Sequence, residues 1–350
     1  MLVKLMKIYN EKFNNALNHI PQKTPPIWFM RQAGRYHSHY QNLKKNYSFE
    51  ELCKNPELAS DTALGPINDF DFDVAILFSD ILFPLEALGM SLKYDPGPIF
   101  KNYIDKNNYH ELISSEEAIK KMKFQEEALL STRDSLPNNK SLIGFVGGPW
   151  TVLSYGLGLN KGIKYKDNYS NMFVNKVLLE KIIPLIKYNI SLQLNSGAEL
   201  VMIFDTDAKS IADNENYRKY SELLYIELIE KFPKRIGYYS KTPFDNKFFV
   251  EKLNDKNTSL AGLGVDHRSP ITKWLKEINY GFIQGNFNQE SMVKGHEEFK
   301  KDFAEYVNQL QNTNENDRAG WVCGLGHGIL KETPEKNVHY FIENIRKIFS

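Results

Sequence analysis

Two arginines four residues apart, Arg31 and Arg35, have the residue type and spacing that most directly predict binding chemistry in this sequence. They follow the apolar run 26–30, which is typical of a short strand buried on both faces. A guanidinium keeps its charge at any working pH and binds a carboxylate or a phosphate through two parallel hydrogen bonds. A helical turn here would direct both side chains to one side. The pair predicts a site for an anionic ligand, and the alternative is two surface arginines with local acidic partners.

Three further residues have a placement that suits chemistry. Asp80 ends the apolar run 73–80, where a partly shielded carboxylate could accept several N–H bonds or stabilise a developing cation. Its alternative role is a helix N-cap. Tyr155 could hydrogen-bond Asp80 or be a core tyrosine. His327 lies between two glycines, which argues against a packed core histidine and leaves turn structure as the alternative.

Patterns for a metal are incomplete. Cys323 and His327 offer one thiol and one imidazole, which are too few for zinc. The pair Asp205-x-Asp207 lacks the glycine and glutamate of a calcium loop. We therefore expect no metal and no cofactor held by these residues. The glycine-rich segment 324–328 could instead hold a phosphate, as loops of this kind often do near the last strands of a barrel.

The composition argues against several classes of partner. Lys and Arg total 44 against 43 for Asp and Glu, so no overall charge favours nucleic acid or an anionic membrane. The two cysteines, Cys53 and Cys323, form no disulfide framework. No window approaches about 18 uncharged apolar residues, and the start of the chain lacks the pattern of a cleaved signal peptide. We expect a cytoplasmic protein with no membrane span.

Short apolar runs that alternate with helical patterns predict the elements that must position these residues. About eight runs occur, at 26–30, 73–80, 142–150, 200–204, 235–239, 260–266, 281–286 and 320–325. Short connections and right-handed crossovers leave a closed barrel or an open doubly wound sheet. No phosphate-binding Gly-x-Gly-x-x-Gly follows the first run, and eight repeats favour the barrel. No stretch has the composition of a linker, so residues 1–350 are expected to form a single (β/α)8 TIM barrel domain.

A barrel of this kind carries its chemistry at the carboxyl ends of its strands. Several polar residues would converge there over an apolar floor, namely Arg31, Arg35, Asp80, Tyr155, residues 205–207, Asp266, Asn286 and His327. The set combines guanidinium, carboxylate and imidazole groups from different strands. It predicts an active site at this end of the barrel.

The motifs at these strand ends resemble the uroporphyrinogen decarboxylase family. The resemblance rests on residues 30–36, 76–82, 87–90, 144–151, 284–286 and 324–328, in order along nearly the whole chain. It implies an eight-stranded barrel, a cytoplasmic homodimer and a place in heme (tetrapyrrole) biosynthesis. It also implies removal of the four acetate carboxyls of uroporphyrinogen III, which gives coproporphyrinogen III without a metal or an organic cofactor.

The resemblance implies roles for individual residues. Arg31 and Arg35 correspond to arginines that hold substrate carboxylates, with Gln32, Ala33 and Gly34 in the same binding segment. Asp80 corresponds to the aspartate that meets the pyrrole N–H groups and stabilises the protonated pyrrole, and Tyr155 to the tyrosine that supports it. His327 falls on a histidine at a propionate, and Phe204 and Thr206 lie near the substrate. Arg31, Arg35, Asp80 and Tyr155 are the expected catalytic set.

Some positions depart from the family pattern, among them Asp266-His267 and residues 207–209. They put loop contacts and subunit packing in doubt rather than the reaction. Two alternatives stay open. One is a zinc-dependent methyltransferase of the same barrel acting on a corrinoid or a thiol, although the His-x-Cys pair of such a site is missing from the strand ends. The other is a non-catalytic tetrapyrrole-binding protein.

Overall fold

Nine short strands and a set of helices make up the part of the chain that the computed structural model describes, residues 7–164, 170–211, 213–241 and 246–350. The strands are β1 (Val74–Ile76), β2 (Leu92–Tyr94), β3 (Pro98–Phe100), β4 (Ser141–Gly147), β5 (Leu200–Asp205), β6 (Ile236–Ser240), β7 (Leu260–Gly264), β8 (Phe282–Phe287) and β9 (Trp321–Leu325). Seven of them form one parallel sheet in the order β1-β4-β5-β6-β7-β8-β9, and β2 and β3 form an antiparallel hairpin. Most residues of the seven strands are buried, which explains their near-continuous apolar sequence.

Residues 26–30 occupy the eighth strand position of the barrel and close the seam between β9 and β1. Ile27 forms a parallel bridge with Cys323 of β9, where the Trp28 amide donates to the Cys323 carbonyl at 3.2 Å. On the other side, the Asp73 amide donates to the Ile27 carbonyl at 3.0 Å, next to β1. The segment therefore lies between β9 and β1, as the barrel prediction requires.

The prediction of a regular strand at 26–30 is only partly confirmed, because the segment forms a single bridge instead of a ladder. Pro26 has no amide hydrogen to donate. The Ile27 amide donates to the Asp73 side chain, at 2.9 Å from Oδ2, rather than to a strand carbonyl. A side chain thus replaces part of the ladder at this seam.

Helices follow most of the strands and cover the outside of the sheet. They are α1 (Glu11–Leu17), α2 (Ser38–Leu43), α3 (Phe49–Lys54), α4 (Pro56–Phe70), α5 (Phe83–Ala87), α6 (Ser115–Ala118), α7 (Lys123–Ser135), α8 (Pro149–Gly156), α9 (Asn171–Val177), α10 (Ile183–Asn195), α11 (Asn214–Leu224), α12 (Lys247–Leu253), α13 (Ile271–Lys276), α14 (His296–Gln311) and α15 (Glu335–Ile348). The Ser-x-x-Glu pattern of Ser48 and Glu51 forms a capping box at the start of α3, with each side chain bonded to the other residue's backbone amide. Among the described residues, no helix is long and apolar enough to span a bilayer.

The interior of the barrel is a separate apolar core with a plug at one end. Its buried members are Phe13, Ala16, Trp28, Met30, Val74, Ile76, Ile143, Leu200, Met202, Tyr239, Ala261, Phe282 and Val322. Phe13 and Ala16 belong to α1, which closes the end where the strands begin. Phe145 and Phe204 pack against this core from positions nearer the carboxyl ends of β4 and β5. The opposite end of the barrel is the one left for a ligand.

Asp73 ties the seam to the outer elements at the plugged end. It is 2% exposed, and its Oδ1 lies 2.6 Å from the Lys12 ammonium. Arg346 of α15 lies 3.7 Å from Oδ2, the same oxygen that accepts the Ile27 amide. Asp73 also lines a polar cleft of about 790 Å³, which lies at this end of the barrel and is occupied by ion pairs rather than by the predicted site residues.

We predict that Asp73→Ala lowers the free energy of unfolding by about 3 kcal/mol, because it leaves the Ile27 amide buried without an acceptor and removes the partner of Lys12. Chemical denaturation measures the change. Glu215→Ala is the control, since its ion pair with Lys219 is exposed and should contribute less than about 0.5 kcal/mol. Equal losses in the two variants would contradict the role given to Asp73.

Candidate active site

Asp80 lies in the loop between β1 and α5, close to the carboxyl end of β1. Its Oδ1 accepts a hydrogen bond from the Leu82 amide at 2.8 Å. The N-cap of α5 is Leu82, without a side-chain cap, so the capping alternative is wrong and this bond belongs to a turn before the helix. The carboxylate retains further acceptor capacity. Burial raises the pKa of the Asp80 carboxyl, and the Leu82 amide, the Tyr94 hydroxyl and the Arg31 charge oppose that rise. The loop holds a shielded carboxylate near a fixed cation.

Arg31 occupies the centre of the strand-end cluster. Its charge interacts with Asp80, with His327 and with the hydroxyls of Tyr155 and Tyr239. The side chain passes over Gly328, where a Cβ would lie 2.5 Å from the Arg31 Cδ. Glycine at this position thus makes room for the guanidinium arm. The motif 324–328 serves in this structure to seat an arginine.

No helical turn forms through the arginine pair, so the spacing of four does not direct both side chains to one side. Residues 31–36 form turns and bends, and Arg31 has a left-handed backbone with φ of 63°. A residue with a Cβ adopts that conformation at a cost of order 1–2 kcal/mol, so tertiary contacts override the helical spacing here. Arg35 is exposed, and its charge lowers the pKa of the nearby Tyr40 against the effect of burial. Arg31 is exposed as well. We call Arg31 central because its charge acts on Asp80 and His327, and Arg35 outer because its charge acts on Tyr40.

Gln32 has a supporting role instead of the predicted contact with substrate. It is fully buried, its Nε2 donates to the Val74 carbonyl at 2.9 Å and its Oε1 accepts from the Phe29 amide. Its carbonyl accepts from the Tyr36 hydroxyl and its amide donates to the Phe29 carbonyl. All of its polar groups are engaged inside the protein. Ala33 and Gly34 continue the turn, buried and half-buried respectively.

Tyr155 projects from α8 and is half-buried. Burial raises the pKa of its phenol, with smaller contributions in the same direction from Asp207 and Asp80. Within the described residues no hydrogen bond joins Tyr155 directly to Asp80, although the two groups are close enough to interact electrostatically. Arg31 is the third group near this phenol.

His327 lies after β9, between Arg31 and Tyr239. Its imidazole is 6.1 Å from the Tyr239 ring, centroid to centroid. Burial, the Arg31 charge and the Lys241 charge lower the pKa of His327 to about 4. The ring is neutral at neutral pH in the protein without ligand. The resemblance implies a substrate propionate at this ring, and the free protein provides a neutral imidazole there.

The end of β5 contributes an apolar surface and a structural carboxylate. Phe204 packs against Phe145 at 5.7 Å and Tyr239 at 6.2 Å, and Thr206 is half-buried beside it. Asp205 does not belong to the predicted polar rim. It is fully buried, with Thr151 donating to Oδ1 from its amide at 2.9 Å and its hydroxyl at 2.7 Å.

Tyr220 completes the environment of Asp205 by donating to Oδ2 at 2.5 Å. Burial raises the pKa of this carboxyl against those donors. Gly148 is required beside it, since a Cβ would lie 2.1 Å from the Asp205 carboxyl carbon. Asp205 thus joins β5 to the first turn of α8, the helix that presents Tyr155. Asp207 is half-buried, and its carboxylate accepts a hydrogen bond from Ser154 of the same helix.

Asp266 and Asn286 shape the adjoining loop. Asp266 accepts from the Arg268 guanidinium at 2.7 Å, and the Asn286 amide donates to the carbonyls of Asp266 and Ser269 at 2.8 and 2.7 Å. The Asn286 side-chain amide thus joins β8 to the loop that follows β7. In the described ranges, no group of three or more His, Cys, Asp or Glu side chains is arranged to hold a metal ion.

The site also contains two tyrosines that the sequence did not reveal. Tyr94 of β2 lies near Asp80, and the Tyr239 hydroxyl donates to the Gly326 carbonyl at 3.0 Å beside His327. The signal for Tyr94 was weak, a short apolar alternation before the turn at residues 95–98. Tyr239 lies inside a predicted strand, where an aromatic residue is ordinarily core.

Comparison with known proteins identifies the family of the chain. Residues 9–348 match the uroporphyrinogen decarboxylase (URO-D) family model. A uroporphyrinogen decarboxylase of Orientia tsutsugamushi (strain Ikeda) is 36% identical over 97% of this chain and 99% of its own length. One from Francisella philomiragia subsp. philomiragia is 31% identical over 96% and 98%.

Among solved structures, a methyltransferase from Methanosarcina mazei superposes with a TM-score of 0.74, covering 98% of this chain and 99% of its own. Its identity of 16% establishes a shared fold alone. The full-length match to the family model and the sequence relatives decides the assignment. The chain belongs to the uroporphyrinogen decarboxylase family, which confirms the family and the enzyme class, a carboxy-lyase, predicted from its motifs.

Proposed function

We propose that this protein decarboxylates the four acetate side chains of uroporphyrinogen III to methyl groups, giving coproporphyrinogen III in heme biosynthesis. The observation that carries the proposal is the shielded Asp80 carboxylate held near Arg31 at the open end of a barrel that matches the decarboxylase family along its length. Both groups come from different strand ends, so the fold itself brings them together.

The charges of the substrate suit this site. The tetrapyrrole carries eight carboxylates at its edge and four pyrrole N–H groups at its centre. Arg31 and Arg35 offer guanidinium groups for the edge, and Asp80 offers an acceptor for the N–H groups. Phe204 and Phe145 form an apolar surface against which the macrocycle can stack. A substrate carboxylate beside His327 would favour the protonated form of its imidazole.

The reaction needs an electron sink within the substrate. Protonation of the pyrrole carbon next to the nitrogen leaves the ring with a positive charge. The bond between the acetate methylene and its carboxyl carbon then breaks, carbon dioxide leaves, and the bonding electrons enter the ring. Protonation of the exocyclic methylene gives the methyl group, and loss of the added ring proton restores the pyrrole. The substrate itself supplies the sink, and we propose that no cofactor takes part.

Asp80 stabilises the positive ring as it forms. A preorganised carboxylate in a shielded site contributes roughly 3–4 kcal/mol to such a transition state. Arg31 offsets the cost of burying Asp80 in its ionised form before substrate arrives. Tyr155 stands beside both groups and supports the carboxylate by its dipole.

The proposal extends to the oligomeric state of the protein and to its location in the cell. We infer a cytoplasmic homodimer, as the resemblance implies, which sedimentation of purified protein tests. The defining assay is incubation with uroporphyrinogen III under reducing, oxygen-free conditions, with products separated by carboxyl number. Binding without release of carbon dioxide would instead identify a tetrapyrrole carrier, and stoichiometric zinc with methyl transfer to a thiol would identify a methyltransferase.

We predict that Asp80→Asn retains the fold and much of the substrate affinity while turnover falls at least about a hundredfold, because the neutral amide cannot stabilise the charged ring. Steady-state decarboxylation and the thermal transition measure the two effects. An Asp80→Asn enzyme that keeps most of its turnover would remove the carboxylate from the chemistry.

The two arginines should differ in their effects. Arg31→Ala is expected to lower kcat/KM by about a hundredfold or more, since its charge acts on Asp80 and it would also bind a substrate carboxylate. Arg35→Ala, at the outer position, should lower it by about tenfold through weaker binding. Arg218→Ala on α11 is the control, because its partners Glu222 and Glu251 lie outside the site. Equal losses for Arg31 and Arg35 would argue against the central position of Arg31.

His327 should take up a proton when a tetrapyrrole carboxylate binds. Its pKa of about 4 in the free protein is expected to rise, because the bound anion offsets the Arg31 and Lys241 charges. Binding should then weaken as pH increases through the raised value. Imidazole NMR with and without coproporphyrinogen III measures the shift, with His327→Gln for assignment and the ring of His110 as an unaffected reference. An unchanged His327 titration would place no carboxylate at this ring.

A further inference from the structure

Tyr94 carries a buried hydroxyl that the proposed reaction has not used. Its oxygen is shielded from solvent, and no hydrogen bond of ordinary geometry reaches it from the described residues. Burial raises the pKa of the Tyr94 phenol, and the Asp80 carboxylate raises it further. A buried hydroxyl without a partner is a cost to stability. A phenylalanine would fill the same space without that cost.

The packing around Tyr94 fixes where its hydroxyl can go. β2 and β3 pair Tyr94 with Pro98, and the ring lies between Phe49 of α3 at 4.8 Å and Phe83 of α5 at 6.1 Å. Phe49 also contacts Phe78 at 6.0 Å, just ahead of Asp80. The aromatic cluster therefore holds the phenol against the loop that carries the carboxylate.

Asp80 is held from its own side by a second set of contacts. The Leu82 amide binds its Oδ1, and Gln125 of α7 donates to the neighbouring Ser79 hydroxyl at 2.8 Å. Both sides of the pair sit on fixed elements. The phenol is close enough to the carboxylate to oppose the effect of burial on the Asp80 pKa.

Several other ionisable groups face the pair. Cys53 lies near both Asp80 and Tyr94, and Glu86 lies near Tyr94 but is paired with Lys54 at 2.7 Å. Arg31 and Tyr155 face Asp80 from the open end. Burial raises the pKa of the Cys53 thiol well above its usual value, so this group is neutral at working pH. The phenol of Tyr94 is a neutral donor next to a carboxylate that burial disfavours.

We propose that Tyr94 is a positioning residue for Asp80, and that its hydroxyl donates to the carboxylate and keeps it ionised and correctly oriented for the pyrrole N–H groups. This inference rests on the proposed decarboxylation and names a residue behind the reacting carboxylate. A donor to the charged form of an acid favours that form, whereas burial favours the neutral form. Removal of the hydroxyl should therefore move Asp80 toward its protonated state.

The experiment compares Tyr94→Phe with the unmodified protein across pH. We expect the acidic limb of the kcat/KM profile to move to higher pH, with about a tenfold loss of activity on that limb and a smaller loss on the plateau. The thermal transition should be unchanged or higher, because a buried hydroxyl without a close partner has been removed. Tyr94→Met, which also removes the hydroxyl, should shift the profile in the same direction.

Tyr225→Phe is the matched control. Its hydroxyl is buried far from the site and accepts the Ser259 amide at 3.1 Å, near the beginning of β7. That substitution should lower stability and leave the pH profile in place. The opposite signatures of the two variants separate a positioning role from a packing role.

A second readout keeps the inference independent of turnover. Carboxyl NMR of Asp80, assigned with Asp80→Asn, should show a higher pKa in Tyr94→Phe than in the unmodified protein. An unchanged Asp80 titration, together with an unchanged pH profile, would overturn the positioning role. Failure of the unmodified protein to form coproporphyrinogen III would overturn the proposed function instead, and the Asp80 titration would still decide the role of Tyr94.

Discussion

The site depends on the Asp80 carboxyl, which is partly shielded from water while neighbouring groups favour its ionised form. Burial alone favours the protonated form of Asp80, and the protein opposes it with the Leu82 amide and the Arg31 charge. In the reaction that we propose, a carboxylate in that balance is preorganised to meet a positive ring, because no solvent must reorganise when charge develops. Burial also lowers the pKa of His327, so its imidazole is neutral in the free protein. Shielding from water therefore governs the charge of both Asp80 and His327.

The barrel brings these groups, which follow separate strands, together at one opening. Its seam is closed by residues 26–30, and that segment runs directly into Arg31. The Asp73 side chain bonds the seam at the plugged end, while Gly328 makes room for the Arg31 side chain at the open end. Asp205 joins β5 to α8 and so fixes Tyr155 indirectly. Stability and placement of the site rest on the same connections.

The sequence predicted those features that depend on local pattern. Apolar runs gave β4, β5 and β9 because parallel strands are buried on both faces, and Ser48 with Glu51 gave the start of α3. Predictions that depended on contacts between distant elements were less successful. The spacing of Arg31 and Arg35 did not reveal the left-handed backbone at Arg31, and Asp205 was assigned to the rim because its donors come from other elements. No spacing rule reveals that Tyr94 faces Asp80.

A structure of the protein with coproporphyrinogen III bound under oxygen-free conditions tests the central claim most directly. The account predicts that an Asp80 carboxylate oxygen lies within hydrogen-bond distance, roughly 2.6–3.2 Å, of pyrrole nitrogens, with Arg31 against a carboxylate at the edge of the macrocycle. A macrocycle bound at this opening with its nitrogens directed away from Asp80, or bound elsewhere on the protein, would contradict it.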